Sequence, residues 1–300
     1  MPITPTAKPA RSRAAVYIRP AQPTHMKFTA RDGRILEAIH AYDGVLADYQ
    51  IRALFFSGES QVKLRLRLLF QQGYLARPSY KKRASLTHMV YWLDTKGASY
   101  VAGLSGTTLK EFTYVKEPRW SQLDHDLAVN DFRIAIAKAC TNSPTFAVEE
   151  WIPQSEFYSH PDKVEYTDTH KKKASRYIRP DAYVITRKDE HLFRFLLELD
   201  MATESNVRFA REKVLPGLAY LKSDIYQMRF GHNSGRFLVV TTSERKLRNM
   251  KRQTELAAGK DASLFYFTTF ANLAPETLFT GSVWFQGGEE QPTALFTTRS

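Results

Sequence analysis

Apolar residues near the N-terminus recur with helical spacing in three short stretches. Thr29 precedes the first, with Asp32 three residues on, a capping residue followed by a first-turn carboxylate. Ile35, Leu36 and Ile39 then share one face. Asp43-Gly44 marks a turn, and a second short helix carries Ile51, Leu54 and Phe55 inward until Ser57-Gly58 breaks it. The third helix runs from near Ser60 to Gly73. Its Val62, Leu66 and Leu69 fall at i, i+4 and i+7, and Phe70 joins them in one buried stripe. After Gly73 the pattern predicts a hairpin. Tyr74-Leu75 leads out, Lys81-Lys82-Arg83 forms a basic tip, and Val90-Tyr91-Trp92-Leu93 returns. Thr95-Lys96-Gly97 opens a further helix ending near Ala102.

On the third helix Ser60, Lys63, Arg67 and Gln71 lie opposite the apolar stripe. These residue types donate to base edges and phosphates in a major groove. Leu64 and Leu68 also fall towards the outer side, where contact with thymine methyls and packing on a second domain are both open. Three helices, a hairpin with a basic tip and a helix after it resemble the winged helix-turn-helix superfamily. That resemblance implies a DNA-binding domain over residues 28–102, with the hairpin reaching a backbone or minor groove. Residues 1–27 hold five basic and no acidic side chains with five prolines, and read as a flexible basic arm, not a secretion signal. Residues 103–120, with Gly103, Gly106, a Ser/Thr cluster and Pro118, read as a linker with at most one short strand.

From residue 121 to 285 the pattern turns to mixed α and β. Leu123 to Cys140 is helical, with Leu127, Ile134 and Ile136 among its apolar positions. A strand is expected from Phe146 to about Phe157, then a polar stretch with Lys171, Lys172, Lys173 and Arg176. Further strands are expected at Ile178–Thr186 and Phe193–Asp200, and a helix from Ser205 that Pro216-Gly217 must kink or end. A strand at Phe237–Thr241, a helix with Arg245, Lys246, Arg248, Lys251 and Arg252, and a strand at Leu264–Phe267 complete the order α-β-β-β-α-β-α-β. Residues 286–300 form a C-terminal tail.

Asp181 falls early in the second expected strand, and Glu198 and Asp200 at the end of the third. Positions i and i+2 of a strand share a face, so adjacent strands would bring three carboxylates together. Such a set suits Mg²⁺ or Mn²⁺ and the activation of a water against a phosphodiester. The alternative is that these carboxylates cap strand ends or pair with Lys213 and Arg179. This part resembles the PD-(D/E)XK nucleases, a restriction-endonuclease-like αβββαβ fold. Arg179-Pro180-Asp181 stands at the first motif, and Glu198-Leu199 at the second, after sixteen intervening residues. Asp200 stands where the superfamily's lysine is expected, and the resemblance offers Lys213 as its replacement, with Arg208 and Arg211 as substitutes. His125 and Asp126 read as a helix-surface pair or as neighbours of this cluster.

The ensemble of Leu93-Asp94-Thr95-Lys96-Gly97, the run from His125 to Arg133, the run from Arg179 to Val184 and the run from Leu196 to Ser205 resembles the replication-relaxation proteins of plasmids and other mobile elements. That resemblance spans roughly residues 30 to 250. It implies a double-stranded DNA ligand and a role in the replication, transfer or control of the element. The family pattern continues into a Thr and a Glu, supplied here by Thr203 and Glu204.

Charge agrees with this reading. Forty-three Lys and Arg against 31 Asp and Glu give a formal net charge of +12 over 300 residues, which favours a polyanionic partner. Lys172, Arg245 and Arg248 are further candidates for phosphate contacts. One cysteine, Cys140, excludes an internal disulfide and suits a reducing cytoplasm, and no apolar run reaches membrane-spanning length. No zinc-like spacing, phosphate-binding glycine loop or small-molecule cofactor motif is present. Two functions follow as expectations. One is a DNA-binding protein whose nuclease-like domain holds Mg²⁺ or Mn²⁺ through Asp181, Glu198 and Asp200 and cuts DNA with the help of Lys213. The other is a non-catalytic transcriptional or replication regulator that uses this domain to grip DNA or to form a homodimer.

Overall fold

The computed structural model describes residues 17–169, 171–201 and 205–296. It is a mixed α and β protein that divides into two units, Met1–Asn130 and Asp131–Ser300.

The first unit opens with α1 (Ala30–Ala41). Thr29 donates to the Asp32 carboxylate through both its backbone N–H and its hydroxyl, each at 2.7 Å, so the expected cap is formed. Then come β1 (Leu46–Ala47), α2 (Asp48–Phe55), α3 (Glu59–Gln71), β2 (Leu75–Ala76), α4 (Tyr80–Arg83), β3 (Val90–Leu93) and α5 (Thr95–Leu104). The three strands form an antiparallel sheet in the order β1-β3-β2. Ile35, Leu36, Ile39, Ile51, Val62, Leu66 and Leu69 are buried together with Leu46, Leu75, Leu93 and Val101. The expected hairpin tip differs: Lys81-Lys82-Arg83 lies on the short helix α4. Ser79 caps that turn by accepting from the Lys82 N–H at 3.3 Å, and no glycine in the run favours a tight hairpin turn instead. The expected arm is tied down from Arg19, which donates to the carbonyls of Phe70 at 2.8 Å and Leu75 at 2.9 Å. Its first sixteen residues lie outside the described residues. The expected linker also packs on this unit. Trp92 donates to the Lys116 carbonyl at 2.8 Å and meets Trp120 edge-on, in a small core shared with Leu123 and Leu127.

The second unit begins within α6 (Leu123–Asn142) and continues through β4 (Phe146–Pro153), α7 (Gln154–Ser159), β5 (Asp162–Thr167), β6 (Lys173–Ile178), β7 (Ala182–Lys188) and β8 (His191–Asp200). After α8 (Asn206–Phe209), a π turn (Ala210–Val214) leads into α9 (Leu215–Leu221). Next come α10 (Asp224–Phe230), β9 (Arg236–Thr241), α11 (Glu244–Ala258), β10 (Phe265–Thr269) and β11 (Phe285–Gln286). The main sheet is mixed, in the order β11-β10-β9-β8-β7-β4. Strands β4, β7 and β8 pair antiparallel, β8, β9 and β10 parallel, and β11 antiparallel at the edge.

Four expectations are corrected here. The strand from Phe146 stops at Pro153, whose missing N–H cannot extend the ladder, and the chain turns into α7. The strand expected at Ile178–Thr186 is two strands, because Pro180 interrupts it between β6 and β7. The polar stretch before it is a separate β5–β6 hairpin. Pro216 does not end its helix: it falls in the first turn of α9, directly after the π turn, where its missing N–H is tolerated. The tail is packed as far as Phe296, which meets Phe146, Phe193 and Phe279.

Candidate nucleic-acid interface and carboxylate site

On α3 the periodicity that buries Val62, Leu66 and Leu69 leaves Ser60, Lys63 and Arg67 exposed, with Gln71 half-buried. Lys63 pairs with Glu59 at 2.5 Å one turn back. Leu64 is 50% exposed, so it does not serve the core. Of the cations on α4, Lys81 is exposed. Lys82 sits 4.7 Å over the Trp120 ring, and Arg83 donates to the Leu86 carbonyl. The hairpin cations therefore differ in role: one faces solvent and two are partly engaged by the protein.

The family-like motifs of this unit act within the fold. Asp94 caps α5 by accepting from the Thr95 N–H at 2.6 Å, and it pairs with Arg19. Gly97 lets α5 approach Tyr74 so closely that an added Cβ would stand 2.2 Å from that carbonyl oxygen. Buried Asn130 donates to the carbonyls of Tyr42 at 3.2 Å and Val45 at 2.9 Å, and Gln50 donates to the Leu127 carbonyl at 2.8 Å. Neither amide was singled out by sequence reasoning, since nothing in periodicity marks a polar residue for burial. Asp32 is fully buried. Burial pushes its carboxyl up, but hydrogen bonds from Arg65 and Thr29 outweigh that and hold it below its usual range.

In the second unit Asp181, just before β7, accepts from Gln154 Nε2 at 3.0 Å and from the Leu199 N–H at 2.7 Å. Leu196 on β8 is buried in one core with Val214 and Leu247, so its side of the strand faces the π turn and α11. Glu198 and Asp200 follow on that side. Glu198 meets Lys213 Nζ at 2.7 Å, and Lys213 also donates to the Arg179 carbonyl at 3.1 Å. Asp200 accepts from the Thr241 hydroxyl at 3.0 Å and pairs with Lys246 at 3.4 Å. Lys213 therefore reaches the cluster, as the resemblance implied. Lys246, Gln154 and Thr241 also reach it, and sequence reasoning did not place them there. Its only signal for Lys246 was membership of a basic helix, whose Arg245, Arg248 and Arg252 do face solvent. Thr203 and Glu204 lie outside the described residues.

Arg208 and Arg211 do not join the carboxylates. With Arg176 they converge on Glu212, at 3.1, 3.0 and 2.5 Å respectively. Burial pushes the Glu212 carboxyl up, and the three guanidiniums more than offset it, leaving it below its usual range. Lys171 and Lys172 stand exposed in the turn between β5 and β6, not directly before Asp181 as expected. Asp126 pairs with Arg119 at 2.6 Å, which places the His125–Asp126 pair in the first unit.

Asp181, Glu198 and Asp200 are each already engaged by protein donors. Among the described residues no group of three or more His, Cys, Asp or Glu side chains is disposed to hold a metal. The chemistry of the donors gives the reason. Lysine ammoniums take up Glu198 and Asp200, and Asp181 has a hydrogen-bond donor on each oxygen. Among the described residues no helix is long and apolar enough to cross a membrane.

The family model for replication-relaxation proteins matches residues 36–228, which takes in most of the first unit's helices, its sheet, and Asp181, Glu198 and Asp200. Neither the curated proteins nor the solved structures contain a match. With more than half its length matched by that model, the chain belongs to the replication-relaxation family.

Proposed function

We propose that this protein binds double-stranded DNA and acts in the replication, transfer or control of a plasmid or other mobile element. In this reading the first unit is a winged helix-turn-helix. Helix α3 enters the major groove, and the β2–α4–β3 segment contacts the backbone beside it. One observation carries it: α3 buries its apolar stripe and leaves Ser60, Lys63 and Arg67 in solvent, in a chain of net charge +12. The test is duplex binding followed by fluorescence anisotropy as salt is raised. The logarithm of affinity should fall with the logarithm of salt, by about 0.9 per phosphate contacted. A flat response sinks the reading.

The second unit is read as a PD-(D/E)XK-like domain that grips DNA without cutting it. Support comes from an antiparallel β4-β7-β8 set continued by parallel β9, with Asp181 just before the start of β7 and Glu198 on adjacent β8. Three carboxylates there face two lysine ammoniums, which offset most of the negative charge that would gather a divalent cation. Metal-dependent cleavage is the second reading. One contact favours it, since Lys213 stands beside Glu198, where the superfamily's lysine would act.

A further inference from the structure

The second unit holds a cavity of about 390 Å³ beside Glu198 and Lys213. Buried Leu196 and Phe237 contribute apolar lining, and Tyr158 and Tyr177 line it as well. The two tyrosines are 51% and 48% exposed, so their rings are open to a ligand from solvent. The Arg179 guanidinium lies 4.3 Å from the Tyr158 ring centre and 5.5 Å from that of Tyr177. It is itself exposed and makes no hydrogen bond or ion pair to the described residues, so its donors are free for an anion. Arg176, also in the lining, is held by Glu212 together with Arg208 and Arg211, so three guanidiniums share one carboxylate and keep a net positive charge.

Flat aromatic faces, a stacked guanidinium and surplus cations are the groups that hold an unpaired nucleotide. The rings stack on the base and the cations take the phosphate. The volume lies in the range of small-ligand sites. A base still paired in a duplex cannot offer its face to these rings. We infer that this cavity binds an unpaired nucleotide of single-stranded DNA, by stacking on Tyr158 and Tyr177 with its phosphate at Arg179 and Arg176. The inference rests on the DNA-binding reading only for the choice of DNA. The duplex contacts of α3 lie on other residues.

The experiment measures anisotropy of fluorescein-labelled oligo(dT) of about twelve nucleotides, within the site sizes of single-strand binders, with the full chain in EDTA. Tyr158→Ala and Tyr177→Ala should each weaken binding about tenfold, since losing one stacked base has effects of that order. Tyr177→Phe should keep it, because phenylalanine also stacks. Affinity for a blunt duplex should stay unchanged in all three, and should fall in Arg67→Ala, which spares oligo(dT). The inference is overturned if the double alanine variant binds oligo(dT) like wild type, if duplex binding falls in parallel, or if Tyr177→Phe loses as much as Tyr177→Ala. Tighter binding of oligo(U) overturns the assignment to DNA. If wild type ignores duplex yet binds oligo(dT) through the tyrosines, the proposed winged-helix function fails and the cavity assignment stands.

Discussion

Lys213 places its Nζ 2.7 Å from Glu198 Oε2 and donates to the Arg179 carbonyl, so one ammonium bridges β8 and the segment ahead of Asp181. Glu198 is only 13% exposed, and a carboxylate so placed depends on its partner. Lys213→Ala should lower stability by about 2 kcal/mol, less than a fully buried pair because Lys213 itself is partly solvated. Adding Glu198→Gln should recover most of the loss. Urea midpoints of the two single variants and the double variant check this. Additive losses would mean that the contact carries no coupling.

The ammoniums of Lys213 and Lys246, paired with Glu198 and Asp200, should limit any affinity for divalent ions. Replacing Lys213 and Lys246 together by alanine removes the cations that neutralise Glu198 and Asp200. Mn²⁺ titrated calorimetrically should then bind at least about tenfold tighter than to wild type, as ligand charge rises. Equal affinity would show that geometry, not charge, governs the site.

Asp32 gives the first unit an acid-sensitive link between α1 and α3. Its folded carboxyl is held below the ordinary value of 3.8, chiefly by Arg65 against the opposing effect of burial. A depressed folded value contributes stability that is complete above the unfolded value. That contribution is lost as pH falls through the folded one. Wild type should therefore lose part of its stability below about pH 4, and Asp32→Asn should remove that part of the dependence. The variant should also cost about 3 kcal/mol at neutral pH, since it strips Arg65 of its buried partner. Unfolding curves across that range decide it; an identical pH profile in the variant would refute the assignment.

Much of this architecture was legible where burial and periodicity coincide. Val62, Leu66 and Leu69 sit where a 3.6-residue repeat puts them, and the strands beside Asp181 and Glu198 meet the condition of adjacency on which the carboxylate cluster depended. The β5–β6 hairpin was not legible. Val164 is its one deeply buried residue between Asp162 and Thr167, so alternation had almost nothing to show. The tip of the first-unit hairpin was misread because Lys81-Lys82-Arg83 suits an exposed loop and a capped helical turn equally well. At the carboxylates, Lys213 was anticipated by analogy, whereas Lys246 required the packing of α11 against the π turn. Long-range pairings of this kind leave no local mark on the chain.

The hairpin result changes what mutation of its cations should do. Lys81 faces solvent, while Lys82 lies over Trp120. Lys81→Ala should weaken duplexes of every sequence alike and reduce the salt slope by about one. Lys82→Ala should change that slope less, its main effect being lost packing on Trp120. Arg67→Ala, on the exposed face of α3, should instead flatten preference among sequences. Anisotropy on a panel of duplexes at several salt concentrations separates these patterns, and equal slopes for the two lysine variants would discard the distinction.

The sharpest consequence concerns cleavage. Supercoiled DNA incubated with wild type and Mg²⁺ or Mn²⁺ should remain supercoiled. To cut, the site would have to break Lys213–Glu198 and Lys246–Asp200 before an ion could be held, and Asp181 would have to give up the Gln154 and Leu199 donors as well. Each rupture exposes a largely buried carboxylate to desolvation without its partner, a cost of about 1–3 kcal/mol or more apiece. Asp181→Ala combined with Glu198→Ala supplies the control for contaminating nucleases. Nicking by wild type that this double variant abolishes would establish an active metal site and overturn the gripping-platform reading. It would leave the duplex contacts of α3 untouched. Equal inactivity of the two proteins, with duplex binding retained by both, is the expected result.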